Sequence, residues 1–331
     1  MTTKQAVLEL LKKKTGSYIS GSELAAELSV SRNSVWKAIE ALREDGCEII
    51  ALTNKGYCLA GVGDALSEQE IRKYMGDKEG LFTFNIEKLV TSTSDVLKKA
   101  ALAGAAEFTV ELAEEQSGGR GRLQKSFYSP RGNGLYMSVL LRPKLAIADT
   151  AFITSAAAVA VCEAIEEVCG KETGIKWVND VFIGGGKVCG ILTEAALSVE
   201  NSAVESAVLG IGVNISDPEG GFTGELAGVA ASVFGGGKVP DGTRNRLAAE
   251  ILKRLLYHYY TLPERGFLAE YKRRSIVVGK SVTVITPLYT KEAEALEIDD
   301  ECRLIIKNTD GSVEAVNAGE VSLRRNWNNE N

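Results

Sequence analysis

The sequence predicts an α+β protein with an N-terminal winged helix–turn–helix, a central domain built on a mixed sheet and a small C-terminal β-barrel of SH3-like type. Three observations lead to this prediction. Residues 1–62 combine helical apolar spacing with a hairpin pattern. Residues 63–272 mix strands and helices without regular alternation, which favours an α+β fold over a doubly wound one. Residues 273–326 consist of short β-runs separated by turn residues.

The N-terminal domain fits three helices and a hairpin. The first helix spans Lys4–Lys13, the second begins near Ser22, which is available as its N-cap, and the third covers about 31–44. Two β-runs around the turn Asn54–Gly56 form a wing. A small helical docking domain is the alternative, but the turn spacing and the wing favour a winged helix–turn–helix. Such a domain places the start of its last helix in the major groove, which here means Ser31, Arg32, Asn33, Ser34, Trp36 and Lys37.

The central and C-terminal domains show further elements. Ser67 and Glu70 form a predicted capping box, and Thr93 or Ser94 is a predicted helix cap. The predicted central strands are 82–89, 108–113, 135–141, 181–183, 188–194 and 204–214, and the predicted longer helices are 150–169 and 248–260. The predicted C-terminal β-runs are 277–278, 282–285, 293–298, 304–307 and 313–316.

Composition excludes several classes of protein. The 331 residues are 45% apolar and 25% charged with a net charge of −6, which is ordinary for a globular protein and disfavours indiscriminate nucleic-acid binding. No apolar run approaches the ~20 residues of a membrane span, and the N-terminus lacks a signal-peptide core. The six cysteines form no Cys-x-x-Cys pair, so we expect reduced thiols in a cytoplasmic protein. The one histidine, His258, has helical spacing, which argues against a catalytic triad.

The stretch 112–130, called the arginine loop below, carries the strongest functional signal. Three glycines alternate with two arginines and a lysine follows. Glycines let a backbone approach a ligand closely, and arginines supply rigid charged forks that match phosphate or carboxylate oxygens. The pattern therefore predicts a loop that wraps an anion, with a basic, flexible surface loop as the alternative. The residues concerned are Gln116, Gly118, Gly119, Arg120, Gly121, Arg122 and Lys125.

Three other motifs accompany this loop. They are Thr-Ser-Thr-Ser-Asp at 91–95, Gly-Ile-Lys-Trp-Val-Asn-Asp at 174–180 and Val-Leu-Gly-Ile-Gly-Val-Asn at 208–214. In order and spacing the set resembles the biotin protein ligase family, over nearly the whole chain. Because the resemblance includes the DNA-binding front end, the chain is similar to the bifunctional type, which is both biotin–[acetyl-CoA-carboxylase] ligase and biotin operon repressor. The resemblance implies a central domain of class II synthetase-like fold.

The resemblance implies an ATP-dependent ligase. The carboxylate of biotin would attack the α-phosphorus of ATP, pyrophosphate would leave, and a lysine of the biotin carboxyl carrier protein would then attack the biotinyl-5′-adenylate. Lys176, Arg122 and Arg120 would be the catalytic cations. Mg²⁺ would neutralise the phosphates, and no metal-ligating residues are assigned. The residues implied in binding biotin and ATP are Ser92, Thr93, Ser94, Gln116, Gly119, Arg120, Gly121, Arg122, Phe127, Lys176 and Asn214.

Several positions depart from the family pattern. Ser94 stands where the family has asparagine, and Phe127 stands where a tryptophan usually packs against adenine. In the C-terminal domain, Glu297 and Cys302 replace both glycines of a Gly-Ile-Asp-x-x-Gly motif. Asn179 has an alternative explanation as part of an Asx-turn.

The implied partners are the biotin carboxyl carrier protein, operator DNA of biotin genes and a second copy of the chain, in a homodimer that the adenylate would favour. No membrane partner is implied. Two other functions compete with this one. A helix–turn–helix sensor that binds a ligand without turnover is disfavoured by the presence of the loop cations together with Lys176. A related lipoate-type acyl ligase is disfavoured by the Gly-Arg-Gly-Arg and Lys-Trp-Val-Asn-Asp motifs.

Overall fold

The computed structural model describes residues 2–14, 16–44, 46–61, 63–143, 150–197, 204–286 and 288–323. They form a helical N-terminal part with a hairpin, a central mixed sheet with flanking helices and an antiparallel C-terminal sheet, so the predicted α+β class is confirmed. The predicted domain limits at 62 and 326 lie outside the described residues. Within these ranges, no helix combines the length and apolar character that a membrane crossing requires.

The N-terminal part contains the predicted helices and wing. Helix α3 buries Val35, Ile39 and Leu42 in a core shared with the two preceding helices, as its apolar spacing predicts. The elements are α1 (Thr3–Lys13), α2 (Gly21–Glu27), α3 (Arg32–Glu44) and the antiparallel strands β1 (Glu48–Leu52) and β2 (Gly56–Gly61).

Two predicted helix caps are corrected. Ser20, not Ser22, caps α2: its hydroxyl accepts from the backbone N–H of Glu23, whose carboxylate accepts from the backbone N–H of Ser20. The prediction is wrong because this reciprocal pair needs a carboxylate or amide three residues after the cap, and residue 25 is alanine. Ser67 accepts from the backbone N–H of Glu70 at 3.4 Å, but the carboxylate of Glu70 binds lysines instead, so only half of that capping box forms.

The central domain is built on a seven-stranded mixed sheet, which confirms the predicted sheet type. The strand order is β3-β4-β5-β9-β8-β7-β6, and only β3 and β4 run parallel. The short β6 escapes sequence prediction because three residues show no period. The strands are β3 (Thr83–Glu87), β4 (Thr109–Ala113), β5 (Gly134–Leu141), β6 (Gly174–Lys176), β7 (Asp180–Ile183), β8 (Gly186–Leu197) and β9 (Val204–Asn214).

Helices cover both faces of this sheet. On one face α5 packs through Leu97 against Leu140 and Val208. On the other face α6 lies against the sheet and against α7, and it is apolar nearly all round because it is buried on both sides. Helix α7 begins five residues before the predicted start at 248, since its first turn is polar yet buried. The helices are α4 (Glu68–Lys73), α5 (Thr93–Leu102), α6 (Thr150–Cys169), α7 (Thr243–Tyr260) and α8 (Leu268–Arg273).

The C-terminal domain is a five-stranded antiparallel sheet in the order β13-β12-β11-β10-β14. The predicted closed barrel is not confirmed, since β13 and β14 do not pair in the described residues. Only residues 317–319 connect these edges, so the sheet must curl enough to bring them within about 14 Å. The predicted strand 277–278 is wrong: Val277 packs in the core without a ladder. The strands are β10 (Ser281–Ile285), β11 (Thr290–Ile298), β12 (Leu304–Asn308), β13 (Val313–Val316) and β14 (Glu320–Leu323).

A buried cluster fixes the segment that follows the wing within the central domain. The backbone N–H of Arg244, at the start of α7, donates to Oδ1 of Asp64 at 2.8 Å, and Nη1 of Arg244 donates to Oε2 of Glu114 at 2.7 Å. Oε1 of Glu114 accepts from the backbone N–H of Leu66 at 2.8 Å. Because Glu114 lies within the arginine loop, the segment that follows the wing is tied directly to the entrance of that loop.

Candidate functional site

A cavity of about 480 Å³ opens between the N-terminal end of α5, the arginine loop, strands β6 to β9 and the edge strand β14. The structure brings together at this cavity ten of the residues that the sequence singles out. They are Ser92, Thr93, Ser94, Gln116, Arg120, Gly121, Arg122, Phe127, Lys176 and Asn214.

One end of the cavity is a neutral hydrogen-bonding surface. Helix α5 has Ser92 at its N-cap without a side-chain cap, so the predicted cap role of Thr93 or Ser94 is wrong. Both residues lie in the first turn, where their hydroxyls are directed to tertiary contacts. The hydroxyl of Thr93 lies 2.8 Å, and that of Ser94 3.0 Å, from Oγ of Ser138. The backbone N–H of Thr93 donates to Oε1 of Gln116 at 2.9 Å.

Ser138 is a site residue that the sequence analysis missed. It is fully buried in the middle of β5, whose other residues are almost all apolar. A buried polar side chain needs a hydrogen-bond partner, so the serine within this apolar run is the sequence feature that indicates a nearby polar group. The sequence predicts the strand, but the partners Thr93 and Ser94 follow only from the packing of α5 over the sheet.

The arginine loop folds back on itself as a hairpin-like turn. The backbone N–H of Gln116 donates to Ser129 O at 3.1 Å, and that of Phe127 donates to Gly119 O at 2.8 Å. Gly119 does not line the cavity: a Cβ there would lie 2.4 Å from Phe127 O, so this glycine permits the two limbs to meet. The alternative of an unstructured surface loop is therefore not what the chain adopts.

Alternate glycines of β9 form the floor beneath this loop. A Cβ on Gly210 would lie 2.7 Å from Oγ of Ser94, and a Cβ on Gly212 would lie 2.5 Å from the ring of Phe127. Positions two apart on a strand share a face, so both glycines open space on the same side of the sheet. The ring of Phe127 consequently packs directly against Gly212 of the strand at the cavity wall.

Arg120 is held at the rim by two carboxylates. Its Nη2 lies 2.7 Å from Oδ1 of Asp95 and 2.9 Å from Oε2 of Glu194. Its guanidinium is about one-third exposed, so this pairing is partly screened by solvent. Its charge is therefore largely committed within the protein in this state.

Arg122 is anchored from across the cavity. Its Nη1 donates to Oδ1 of Asn179 at 3.1 Å, and Nδ2 of Asn179 donates to Ile191 O on β8 at 2.8 Å. Both side-chain hydrogen bonds of Asn179 join residues far away in the sequence. An Asx-turn would instead bond to the backbone two residues on. The amide thus couples the arginine loop to the central sheet.

Lys176 carries a charge that is free for a ligand. It stands at the end of β6, and no hydrogen bond or salt bridge to it occurs in the part of the chain that the structure describes. Burial holds the pKa of Lys176 below its ordinary value, and the neighbouring carboxylate of Asp180 opposes that shift. Asp180 is itself 2.7 Å from Nζ of Lys187. An incoming anion would be the natural partner for Lys176.

Asn214 closes the far side of the cavity. It is buried at the end of β9, and its Nδ2 donates to Ala231 O at 3.0 Å. Its side chain is thereby fixed beside the turn that follows Leu226.

The cavity is chemically polarised. Its α5 end presents neutral donors and acceptors, with Arg120 paired to Asp95 beside them, whereas the rest of its lining carries four further cations against three carboxylates. Such a surface suits an elongated ligand with a neutral polar head and an anionic tail, next to a second, phosphate-bearing ligand. The cations are Arg120, Arg122, Lys125, Lys176 and Lys187, and the acids are Asp180, Glu225 and Glu320.

A second surface lies on α3 of the N-terminal part. Five of the six residues predicted to contact DNA are exposed there: Ser31, Arg32, Asn33, Trp36 and Lys37, with Trp36 52% exposed. Ser31 and the half-buried Ser34 contact each other, since the hydroxyl of Ser31 accepts from the backbone N–H of Ser34 at 3.0 Å and lies 2.8 Å from its hydroxyl. This pair starts the helix, while Arg32, Asn33, Trp36 and Lys37 present their side chains to a partner.

Comparison with known proteins matches all three parts of the chain. The model of the biotin/lipoate A/B protein ligase family matches residues 87–214, an HTH domain matches residues 3–58, and the biotin protein ligase C-terminal domain matches residues 277–324.

Curated relatives match along the whole chain. The bifunctional ligase/repressor BirA of Bacillus subtilis is 33% identical over 328 residues, which cover 97% of this chain and 99% of that protein. The protein of the same name from Escherichia coli is 24% identical, covering 93% and 94% respectively. Among solved structures, the biotin protein ligase from Aquifex aeolicus in complex with biotin and ATP superposes with a TM-score of 0.61 at 25% identity, covering 73% of this chain and 99% of that one.

Proposed function

This chain belongs to the biotin protein ligase family, in its bifunctional ligase and repressor type, and on that basis we propose that it activates biotin with ATP and transfers it to a lysine of a biotin carboxyl carrier protein. The observation that carries the proposal is the polarised cavity, where a neutral end faces a cationic end that includes the unpaired Lys176. Free cysteines at all six positions suit the cytoplasm, where we place this activity.

The first half-reaction joins two anions. The biotin carboxylate attacks the α-phosphorus of ATP, a new O–P bond forms, and pyrophosphate leaves with the electrons of the broken P–O bond. Fixed cations offset the repulsion, and holding both reactants in line supplies much of the remaining rate. In our assignment Lys176 contacts the carboxylate and the α-phosphate, and Arg122 closes the loop over them.

The second half-reaction uses the mixed anhydride. A neutral lysine amine of the acceptor attacks the biotinyl carbonyl, an amide forms, and AMP leaves. Until then the adenylate must be kept from water and from other amines. The hairpin-like arginine loop, fixed through Asn179, is suited to that retention.

Mg²⁺ would bind mainly through the phosphates of ATP, with one or two protein carboxylates at most. Asp180 is the least exposed of the paired carboxylates that line the cavity, so it is our candidate to hold the ion in exchange for its contact with Lys187. The ion would neutralise phosphate charge.

The neutral end of the cavity is assigned to the ureido ring of biotin. We predict that Ser138→Ala raises the Kd for biotin about three- to tenfold, because it removes one buried hydrogen-bond partner of Thr93 and Ser94. Isothermal titration with biotin measures the change. Ser155→Ala, a buried serine of α6 outside the cavity, is the matched control, and an equal loss in both variants would contradict the assignment.

The second function is repression of biotin genes. The exposed face of α3 suits the major groove, and a homodimer favoured by the adenylate would present two such helices to an operator with two half-sites. In this proposal the acceptor protein is the partner of the ligase domain, and operator DNA is the partner of the N-terminal part.

We predict that Arg32→Ala weakens operator binding by about tenfold at moderate salt and reduces the salt dependence of binding by about one counterion. Arg32 is exposed at the start of α3, so the fold should not change. Gel-shift titration at several salt concentrations tests this. Lys307→Ala removes an exposed cation of the C-terminal sheet and should leave DNA binding intact; equal losses would mean that net charge alone decides binding.

The test of the proposed enzymatic function is exchange of labelled pyrophosphate into ATP, with biotin, lipoate and octanoate as parallel substrates. Exchange with biotin alone is the expected result. Exchange with lipoate alone would support the acyl-ligase alternative. Biotin binding without exchange would support a sensor that lacks turnover.

A further inference from the structure

The C-terminal sheet holds the segment that carries Lys176. The indole Nε1 of Trp177 donates to the backbone carbonyl of Cys302 at 2.9 Å. The Trp177 side chain is buried, with 3% of its surface exposed. The hydroxyl of Tyr271 donates to the backbone carbonyl of Val178 at 2.9 Å. The two residues that follow Lys176 are therefore fixed by groups outside the central sheet.

The backbone before Lys176 is held as well. The N–H of Ile175 donates to Arg274 O at 2.7 Å, and the N–H of Ile276 donates to Ile175 O at 3.0 Å. Arg274 is buried and forms a two-pronged pair with Glu166 of α6. The connection between the central and C-terminal domains thus forms one isolated parallel bridge to β6, between Ser275 and Ile175.

The turn that accepts the indole bond is rigid. Oδ1 of Asp299 accepts from the backbone N–H groups of Glu301 and Arg303, each at 2.9 Å, and Asp299 O accepts from the N–H of Cys302 at 3.1 Å. Cys302 has φ +57°, the left-handed conformation that favours glycine. The family pattern has glycine at this position, and this chain keeps the turn geometry with a cysteine. Its carbonyl is thereby directed at Trp177.

Lys176 makes no hydrogen bond or salt bridge in the described residues, and its Nζ lies over the ring of Phe182, 5.7 Å from the ring centroid. With no polar bond to hold the ammonium group, its position depends on the backbone of residues 175–178. A shift of about 1 Å in a charged group at a reacting centre can cost two orders of magnitude in rate.

We propose that Trp177 is a positioning residue, whose indole hydrogen bond to the Asp299–Cys302 turn fixes Lys176 for the adenylation step. The C-terminal sheet then acts on the first half-reaction through this bond. The inference rests on the proposed ligase function.

The test is Trp177→Phe, which keeps an aromatic ring and removes the N–H donor. We expect kcat for biotin-dependent pyrophosphate exchange to fall about tenfold and KM for ATP to rise, because one buried hydrogen bond near the reacting groups is lost. The Kd for biotin, measured by titration, should change by less than about threefold, since the neutral end of the cavity does not contact this segment and only the carboxylate of biotin meets Lys176. A merely structural loss would weaken both.

Two further variants serve as a control and as a second test. Glu301→Ala changes an exposed side chain of the same turn without touching Trp177 and should exchange as the wild type does. Tyr271→Phe removes the neighbouring bond to Val178 and should lower kcat in the same way, which keeps the test decisive if Trp177→Phe fails to fold. Unchanged kcat and KM for ATP in the folded variants would overturn the proposal. Wild-type exchange in the same series reports on the ligase function separately.

Discussion

Replacing Lys176 with alanine is expected to abolish formation of biotinyl-adenylate, with kcat for pyrophosphate exchange falling by about 10² to 10³. Lys176 lines the cationic end of the cavity and makes no salt bridge in the described residues, so its charge is available to the reacting anions. It ends a strand rather than filling the core, so the melting temperature should change little. Exchange kinetics and a thermal melt measure the two quantities.

Lys187→Ala is the matched control for this variant. Lys187 also lines the cavity, but its charge is neutralised by Asp180 at 2.7 Å, so its removal should cost much less. Burial lowers the pKa of Lys176, so the wild type should lose exchange activity on the alkaline side at a pH below that of an ordinary lysine. Residual activity of Lys176→Ala should lack that decline. Normal exchange in Lys176→Ala would remove the residue from the mechanism.

Arg122→Gly is expected to release the adenylate about ten- to a hundredfold faster, because a charge-assisted hydrogen bond between the loop and the sheet is lost. The free mixed anhydride would then biotinylate lysines of bystander proteins. Streptavidin blotting after incubation with an unrelated albumin, ATP and biotin detects this labelling. The fold decrease in the pyrophosphate-exchange rate should be smaller than the fold increase in bystander labelling.

Asn179→Ala tests the physical reason for this leakage. It leaves Arg122 in place but removes the amide that links Arg122 to Ile191 on β8. We expect leakage in the same direction and of smaller size, because the guanidinium can still meet the ligand. Leu123→Ala, at an exposed position of the same loop, should remain selective. Wild-type selectivity in Arg122→Gly would show that the loop is not the gate.

The arginine loop shows which features of the site can be predicted from local sequence. Its glycines and arginines predicted an anion-binding loop, and the structure places most of these residues at the cavity. The direction of each charge did not follow: Arg120 lies between Asp95 and Glu194, whereas Arg122 reaches Asn179. Glu194 lies 74 residues from Arg120 and Asn179 lies 57 residues from Arg122 along the chain, and local pattern does not encode such distances.

Corrections to the predicted elements have a common cause. Ser94 was predicted as a cap from its position before an apolar run, yet its hydroxyl faces Ser138 on a distant strand. The first turn of α7 was missed because Arg244 is buried with carboxylate partners, so polarity there does not mean exposure. Propensity describes a residue and its near neighbours, and both cases are decided by remote ones.

By itself, the sequence determined the α+β class, the three-part order, the mixed central sheet, the inward face of α3 and ten of the residues that line the cavity. Periodicity and turn chemistry carry this information, since both act within a few residues. Only the tertiary structure decided that Ser138 lies behind Thr93, that two glycines of β9 make room for Ser94 and Phe127, and that Cys302 holds the segment of Lys176. Each of these depends on chain segments that meet only after folding, where burial gives hydrogen bonds and close packing their specificity.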